Sequence, residues 1–242
     1  MHPSDLWDFD DPAGSEQRFR AAADDAQGPA RDVLLTQVAR ALGLQERYDA
    51  AHALLDGLDP ASSPEVAVRV LLERGRLLRS AGDPDGARTV FEEAVRRAQA
   101  VGLDELHVDA LHMVALVAAP EEQVAIAEAA LALARSNTDP RARDWDASLL
   151  NNVGMTHADA EDWPAALAAF EEALAARERI GDDGRTRVAR WMVAWALRNL
   201  GRNDEAFEMQ TALKAELEAI GEEDPYVDEE LEILRSGGST GR

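Results

Sequence analysis

The stretch ERGRLLRSAGDPDGARTVFEEAVRRA at residues 73–98 recurs in outline as NNVGMTHADAEDWPAALAAFEEALAA at residues 151–176. Aligned on Gly75 and Gly154, the two stretches agree at three further positions: Ala87 with Ala166, Phe91 with Phe170, and Ala94 with Ala173. A small residue lets two helices approach closely, and the later Ala and Phe, four residues apart, form one stripe of a helix. The pattern therefore predicts a pair of antiparallel helices that is repeated along the chain.

Three weaker copies extend the repeat. WALRNLGRNDEAFEMQTAL at residues 195–213 and VARALGLQERYDAAHALLDGL at residues 38–58 keep the offsets of the small and apolar residues. LHMVALVAAPEEQVAIAEAALALA at residues 111–134 is degenerate, because Gln123 and Ala127 stand where Ala and Phe are expected, and its register stays open. Asp-Pro pairs at 59–60, 83–84, 139–140 and 224–225 indicate helix boundaries, since the residue before a proline is disfavoured in a helix.

These offsets resemble the tetratricopeptide repeat, whose pattern is W-x2-L-G-x2-Y followed by A-x3-F. The resemblance covers roughly residues 30–221, and the copies are longer than the usual 34 residues, as in the long-helix variety of kinesin light chains and bacterial signalling proteins. It implies an all-α fold, namely a right-handed superhelical solenoid of about five helix pairs with a capping helix at each end.

The predicted domain organisation follows from this resemblance. Residues 1–29 are expected to form an N-terminal anchor and capping helix, in which Leu6, Trp7 and Phe9 pin the terminus onto the first helices. Residues 224–235 are expected to form a C-terminal capping helix, and residues 236–242 a disordered tail. The repeat array between them occupies residues 30–223, in repeats of about 30–62, 64–102, 103–138, 140–182 and 184–222.

Composition and charge limit the possible partners. The 242 residues include 47 acidic and 25 basic ones, which gives a net charge of −22. Nucleic acids and anionic membranes both require a cationic surface, so neither is an expected partner. The sequence has no cysteine and no apolar run long enough to cross a membrane, and a cytoplasmic protein is expected.

Signs of catalysis are missing from the sequence. The five histidines have no metal-binding spacing such as HExxH, and there is no P-loop, GxGxxG or GxSxG motif. Carboxylates are abundant, but abundance alone does not produce a carboxylate with a raised pKa. We therefore expect no catalytic residues, no metal and no cofactor, and the protein is predicted not to be an enzyme.

In tetratricopeptide proteins the first helices of successive pairs line a concave groove that binds extended peptides or partner helices. On each first helix, the resemblance places groove residues at the positions three before and one after the small residue. Further groove residues lie one helical turn beyond these positions. In the degenerate copy the open register leaves either His112 or Met113. With Arg69 near the same face, the predicted ligand-groove residues are Thr36, Arg40, Arg69, Leu72, Arg76, Arg79, His112, Asn151, Met155, Trp191, Trp195 and Arg198.

Three of these assignments have structural alternatives. Trp191 and Trp195 either face a ligand or pack on neighbouring helices, including the C-terminal helix near Tyr226. The amide of Asn151 either holds the backbone of a bound peptide or bonds its own helix. The arginines either bind a carboxylate-bearing ligand or pair with the many acidic residues of the chain itself.

The favoured function is a non-catalytic scaffold that binds a protein segment or peptide, and the groove arginines would suit a partner that bears a carboxylate. The alternative is a sensor that binds a peptide or small ligand in the groove and controls a separate effector. Because such receptors usually carry an output domain, and the repeats and caps take up nearly all of this sequence, the scaffold is preferred. The partner's identity and the oligomeric state stay open.

Overall fold

The computed structural model describes residues 3–237, which form helices joined by short loops. No β-strand occurs among these residues, so the all-α prediction is confirmed. After a 3-10 helix at Pro3–Leu6, the α-helices are α1 (Pro12–Asp24), α2 (Gly28–Leu44), α3 (Tyr48–Asp56), α4 (Pro64–Ser80), α5 (Pro84–Val101), α6 (Asp104–Ala115), α7 (Pro120–Ser136), α8 (Pro140–Arg143), α9 (Asp146–Asp159), α10 (Trp163–Ile180), α11 (Asp183–Asn199), α12 (Asn203–Ile220) and α13 (Pro225–Gly237).

The helices form two compact units, which divide between Glu122 and Gln123, inside α7. In unit 1, α1 packs on α2, the pairs α2–α3 and α4–α5 come next, and α6 packs on α5. In unit 2, the pairs are α9–α10 and α11–α12, and α13 packs on α12. Each unit is therefore built from consecutive helix pairs, as the repeat in the sequence predicts.

Close helix contact in two of the pairs depends on a glycine facing a phenylalanine. A Cβ atom built on Gly75 would lie 2.3 Å from Cε1 of Phe91, and one built on Gly154 would lie 2.4 Å from Cε1 of Phe170. Both rings are fully buried. The ring of the second helix therefore fills the space that a side chain on the first helix would need.

Three of the four Asp-Pro pairs coincide with helix starts. Asp83 caps α5 by accepting a hydrogen bond from the Gly86 amide at 2.9 Å, and Pro84 is the first residue of that helix. Pro140 and Pro225 likewise begin α8 and α13. The pair at 59–60 lies in the loop between α3 and α4. Three of the four pairs thus stand at helix starts, and the fourth lies between two helices.

Two parts of the chain differ in detail from the sequence predictions. In the degenerate copy, Ala127 occupies the phenylalanine position and is buried with Ala130 and Ala134, so α7 packs through small residues alone at these positions. At the C-terminus, α13 continues to Gly237, two residues beyond the predicted end of the capping helix at 235. The remainder of the predicted disordered tail lies outside the described residues.

In the last helix pair, a glutamine takes the place of the phenylalanine. Gln210 lies four residues after Ala206 and is fully buried, yet neither of its amide atoms has a hydrogen-bond partner within residues 3–237. An unsatisfied buried polar group costs about 1–3 kcal/mol. Methionine has a similar volume, is flexible and carries no polar hydrogen.

We expect Gln210→Met to raise the free energy of unfolding by about 1–3 kcal/mol, measured by urea denaturation. Gln37→Met is the matched control, because the Gln37 side chain accepts a hydrogen bond from the Trp7 indole at 3.0 Å. This control should lower the free energy of unfolding. A Gln210→Met protein less stable than the parent would show that the amide is satisfied.

Candidate functional site

Six residues of α2, α4 and α6 in unit 1 recur at intervals of 36 residues and form what we call the ladder. One row contains Gln37, Glu73 and Asp109, and the other contains Arg40, Arg76 and His112. The two rows are three residues apart on each helix, so their side chains lie next to each other. The ladder brings the predicted groove residues Arg40, Arg76 and His112 onto equivalent positions of three successive first helices.

Arg76 ties the ladder together between α4 and α6. Its Nη1 donates to Glu73 Oε1 at 2.6 Å, and its Nη2 donates to both carboxylate oxygens of Asp109 at 2.6 and 2.7 Å. Glu73 is 2% exposed and Asp109 is 6% exposed. Two buried carboxylates of the chain itself thus bind both terminal nitrogens of Arg76, so this arginine pairs within the chain.

The pKa values of the ladder reflect burial and the neighbouring charges. Burial raises the pKa of Glu73, and the nearby Arg76 and Arg40 only partly oppose this effect. Burial also acts on Asp109, but Arg76 and Arg40 outweigh it and lower the pKa of that carboxyl. The pKa of His112 is lowered to about 4, chiefly by burial and then by Arg76, Arg40 and Arg79, against the opposing effect of Asp109. His112 is therefore neutral at pH 7.

Arg40 differs from Arg76 because it has no acidic partner. Among residues 3–237 its guanidinium makes no hydrogen bond, and its Nε is buried. Its Cζ instead lies 5.5 Å from the ring centre of Trp7 and 5.3 Å from that of Phe9. Burial, and then the charge of Arg76, lower the pKa of Arg40 to about 10. Arg40 is thus a cation held by aromatic rings.

The rings that cover Arg40 belong to residues 3–10, which we call the N-terminal strap. Trp7 and Phe9 stack with their centres 4.7 Å apart, and the Trp7 indole donates to Gln37 of the ladder. Arg18 donates to the Leu6 carbonyl at 2.9 Å, and the Ser15 hydroxyl donates to the Asp8 carbonyl at 2.8 Å. The strap therefore lies across the first-helix face of α2, with Leu6 and Trp7 packed on the apolar core.

The remaining predicted residues of unit 1 fall into two groups. Thr36 and Leu72 are fully buried, so their side chains belong to the packing between helices and are closed to a ligand, which corrects the sequence prediction at these positions. Arg69 is also buried and pairs with Glu65 at 2.8 Å. Arg79 is exposed, and its side chain makes no hydrogen bond or ion pair in the described part of the chain.

Trp191 and Trp195 in unit 2 are half-buried and make several ring contacts. Their rings stack with centres 6.0 Å apart, and Trp195 meets Trp163 edge-on at 4.9 Å. Trp191 packs on the cluster that joins Leu213 of α12 to Leu231 of α13. The rings thus mainly join α11 to the helices around it, and some of their surface remains accessible.

The C-terminal helix α13 pairs with Arg198, the predicted groove cation of unit 2. Arg198 donates from Nε and Nη2 to the two carboxylate oxygens of Glu230, at 2.7 and 2.9 Å, and Glu230 is buried. Met155 packs beside the tryptophans in the same unit. The half-buried amide of Asn151 has no hydrogen-bond partner among residues 3–237. Hence α13 covers much of the predicted groove face of unit 2.

Sequence reasoning missed three members of the ladder: Gln37, Glu73 and Asp109. The signal was present, because they recur at the same interval of 36 residues as Arg40, Arg76 and His112. The prediction used the groove positions three before and one after each small residue, and so it omitted the partners beside them. The acidic partners decide which arginines remain free, so they determine what the surface can bind.

Comparison with known proteins agrees with this architecture. Residues 145–213, which contain the pairs α9–α10 and α11–α12, match the family model described as tetratricopeptide repeat. The tetratricopeptide assignment is confirmed. No curated protein sequence matches the chain. Within residues 3–237, none of the helices is long and apolar enough to span a bilayer. In the same residues, no group of three or more histidine or acidic side chains is placed to hold a metal.

Two solved structures have the same fold. The crystal structure of the apo form of RapI is 10% identical, with a TM-score of 0.72, and the match covers 95% of this chain and 68% of RapI. The crystal structure of BtubC (BKLC) from P. vanneervenii is 16% identical, with a TM-score of 0.57, over 100% of this chain and 94% of BtubC. At these identities the similarity establishes the helical repeat fold.

Proposed function

We propose that the protein is a non-catalytic binding scaffold that holds a segment of a partner protein on the first-helix face of unit 1. The observation that carries this proposal is the strap. Through the indole of Trp7 and the ring of Phe9, a non-repeat segment of the chain already contacts Gln37 and Arg40 there. A surface that accepts one non-repeat segment through aromatic rings and an indole hydrogen bond has the chemistry to accept another.

The strap also indicates the chemistry of the partner. An aromatic pair suits Arg40, because a guanidinium without an acidic partner is attracted to the faces of aromatic rings. Carboxylates beside the rings suit Arg79, which is exposed one turn beyond Arg76. Arg76 itself is taken by Glu73 and Asp109. We therefore propose a partner segment with two aromatic residues flanked by acidic ones.

The second candidate, a receptor that controls a separate effector, uses the same surface. The feature that favours it is again the strap, since an incoming ligand would have to move this part of the chain. The two candidates share the binding step and differ only in the consequence of binding. A peptide-binding measurement therefore tests the step that both of them require.

The probe is a fluorescent peptide with the sequence of residues 3–11, PSDLWDFDD. The full-length chain carrying Trp7→Ala and Phe9→Ala lacks the two rings that compete for Arg40, so anisotropy should show peptide binding at least about tenfold tighter than to the parent. Adding Arg40→Gln to this double variant should weaken binding about tenfold, because the cation–π contacts are lost.

The charge-matched control is Arg74→Gln in the same background. Arg74 lies on α4 but pairs with Asp56 at 2.7 Å, away from the ladder. It should leave the affinity unchanged. Equal binding to the parent and the double variant, or equal losses from the Arg40 and Arg74 changes, would refute the proposed surface.

A further inference from the structure

One ion pair that the repeat predicts for the ladder does not form in the structure. Arg76 of α4 pairs with Asp109 of α6, which lies 33 residues later. Arg40 of α2 and Glu73 of α4 are the equivalent residues one repeat earlier, with the same separation. Although both belong to the described residues, they form no ion pair with each other. The sequence repeats the pair, but the structure forms it only once.

Both ends of the missing pair are left unsatisfied. Arg40 Nε and Glu73 Oε2 are buried, and neither has a hydrogen-bond partner within residues 3–237. Glu73 uses only its Oε1, which accepts from Arg76. An unpaired buried donor and an unpaired buried acceptor both carry a desolvation penalty, and a direct bond between them would remove both penalties.

The strap accounts for the missing pair. The guanidinium of Arg40 lies against the stacked rings of Trp7 and Phe9, both of which approach it within 6 Å. The strap is tied to α1 and α2 by hydrogen bonds to Arg18, Ser15 and Gln37, and the ring of Phe9 is 43% exposed. Arg40 therefore has two alternative partners on the same face: the aromatic rings of a bound segment, or the free oxygen of Glu73.

We infer that Arg40 is a two-position switch, which pairs with Glu73 when the first-helix face is empty and turns to aromatic rings when a segment occupies it. This inference rests on the proposed function only for the partner that would replace the strap. The movement of Arg40 itself is a property of the chain alone. Occupation of the surface thereby breaks the Arg40–Glu73 ion pair between α2 and α4, which is equivalent to the Arg76–Asp109 pair between α4 and α6.

The switch makes occupation dependent on pH. Glu73 faces Arg76 and Arg69 on its own helix, Arg40 on α2 and Asp109 on α6. Loss of Arg40 as a direct partner favours the protonated form of Glu73, so the occupied state binds more protons than the empty state. By linkage, occupation is favoured as the pH falls and opposed as it rises. The strap peptide should then bind the Trp7→Ala/Phe9→Ala chain more tightly as the pH is lowered from neutral.

The test needs no partner. The carboxyl carbon signal of Glu73, assigned by its loss in Glu73→Gln, is followed by NMR against pH in the full-length parent and in the Trp7→Ala/Phe9→Ala variant. We expect the pKa of Glu73 to be lower in the variant by about one unit or more, because an opposite charge brought within ion-pair distance has an effect of about 1–3 units. Adding Arg40→Gln to the variant should remove most of this decrease.

Three results would overturn the inference. One is an unchanged pKa of Glu73 in the strap variant. Another is a decrease that persists when Arg40 is glutamine, since simple exposure of Glu73 to water would then explain it. A third is an equal decrease in Phe207→Ala, the control in unit 2, where an exposed ring lies 5.8 Å from Arg235. If the double variant is poorly folded, Phe9→Ala alone gives the milder test.

This experiment separates the two proposals. A decrease in the pKa of Glu73 without peptide binding would support the switch and refute the partner chemistry. Peptide binding without the decrease would support the surface and refute the switch. Retention of helical circular dichroism in every variant is required for either conclusion.

Discussion

Replacing Arg76 by methionine is expected to lower the free energy of unfolding by about 3–5 kcal/mol, the usual cost of removing one partner from a buried ion pair. Methionine keeps the apolar stem of the side chain, so the loss comes from the charge. Glu73 and Asp109 would both remain buried, without the cation that bonds to them at 2.6 Å. Urea denaturation at pH 7 measures the change.

Arg74→Met is the matched control, since it removes the same charge two residues away from an exposed pair with Asp56. Such a pair contributes about 1 kcal/mol or less. If both variants lose the same stability, the ladder is not a buried network held together by Arg76.

The pH dependence of the Arg76→Met variant gives a second check. In the parent, Arg76 helps to lower the pKa of Asp109, so this carboxylate stabilises the fold above its unfolded pKa, and the contribution is lost as the pH falls through the folded pKa. In the variant, burial without Arg76 should raise the pKa of both carboxyls above their unfolded values. Its folded state then takes up protons on acidification. The difference in the free energy of unfolding between the parent and the variant should therefore be smaller at about pH 5 than at pH 7.

Gly75→Leu and Gly154→Leu are each expected to destabilise the protein by about 3 kcal/mol, the upper end of the usual range for overpacking. The first atom of either new side chain would lie within 2.4 Å of a buried phenylalanine ring. The ring cannot move aside, because Phe91 and Phe170 are fully enclosed. Thermal or urea unfolding of each variant measures the loss.

Gly57→Leu is the control for this pair. A Cβ on Gly57 would meet only backbone carbonyl oxygens, at 3.5 and 3.7 Å, which is ordinary contact distance. Its free energy of unfolding should stay close to that of the parent. Were the two helix-pair glycines as tolerant as Gly57, the alignment of the repeats on Gly75 and Gly154 would be wrong.

The fold could be predicted from sequence because its determinants are local and repeated. A glycine, an alanine and a phenylalanine at fixed offsets specify one helix pair, and Asp-Pro pairs mark helix boundaries. The offset from Ala206 puts Gln210 at the phenylalanine position, but only the structure shows that its amide is buried without a hydrogen-bond partner among residues 3–237. In the degenerate copy, likewise, only the structure shows that Ala127 is buried where the other copies have phenylalanine.

The candidate site could be predicted only in part. Periodicity placed Arg40, Arg76 and His112 on one face, but it did not tell which cation is free. That depends on contacts between residues far apart in the chain, such as Trp7 with Gln37 and Arg198 with Glu230. The strap and α13 lie outside the repeat, so no periodic signal reports where they pack.

In the binding mode that we propose, Arg40 contacts the aromatic residues of a segment bound to the first-helix face of unit 1. The most direct measurement is the NMR spectrum of arginine side chains labelled with nitrogen-15, in the Trp7→Ala/Phe9→Ala chain titrated with the peptide PSDLWDFDD. We predict that the Nε–H signal of Arg40 moves upfield, since ring currents act on a group that lies over aromatic faces, while the signal of Arg198, bonded to Glu230, stays in place. A peptide that leaves the Arg40 signal unmoved at saturation, or that moves the Arg198 signal instead, would show that the bound segment does not place its aromatic rings on Arg40.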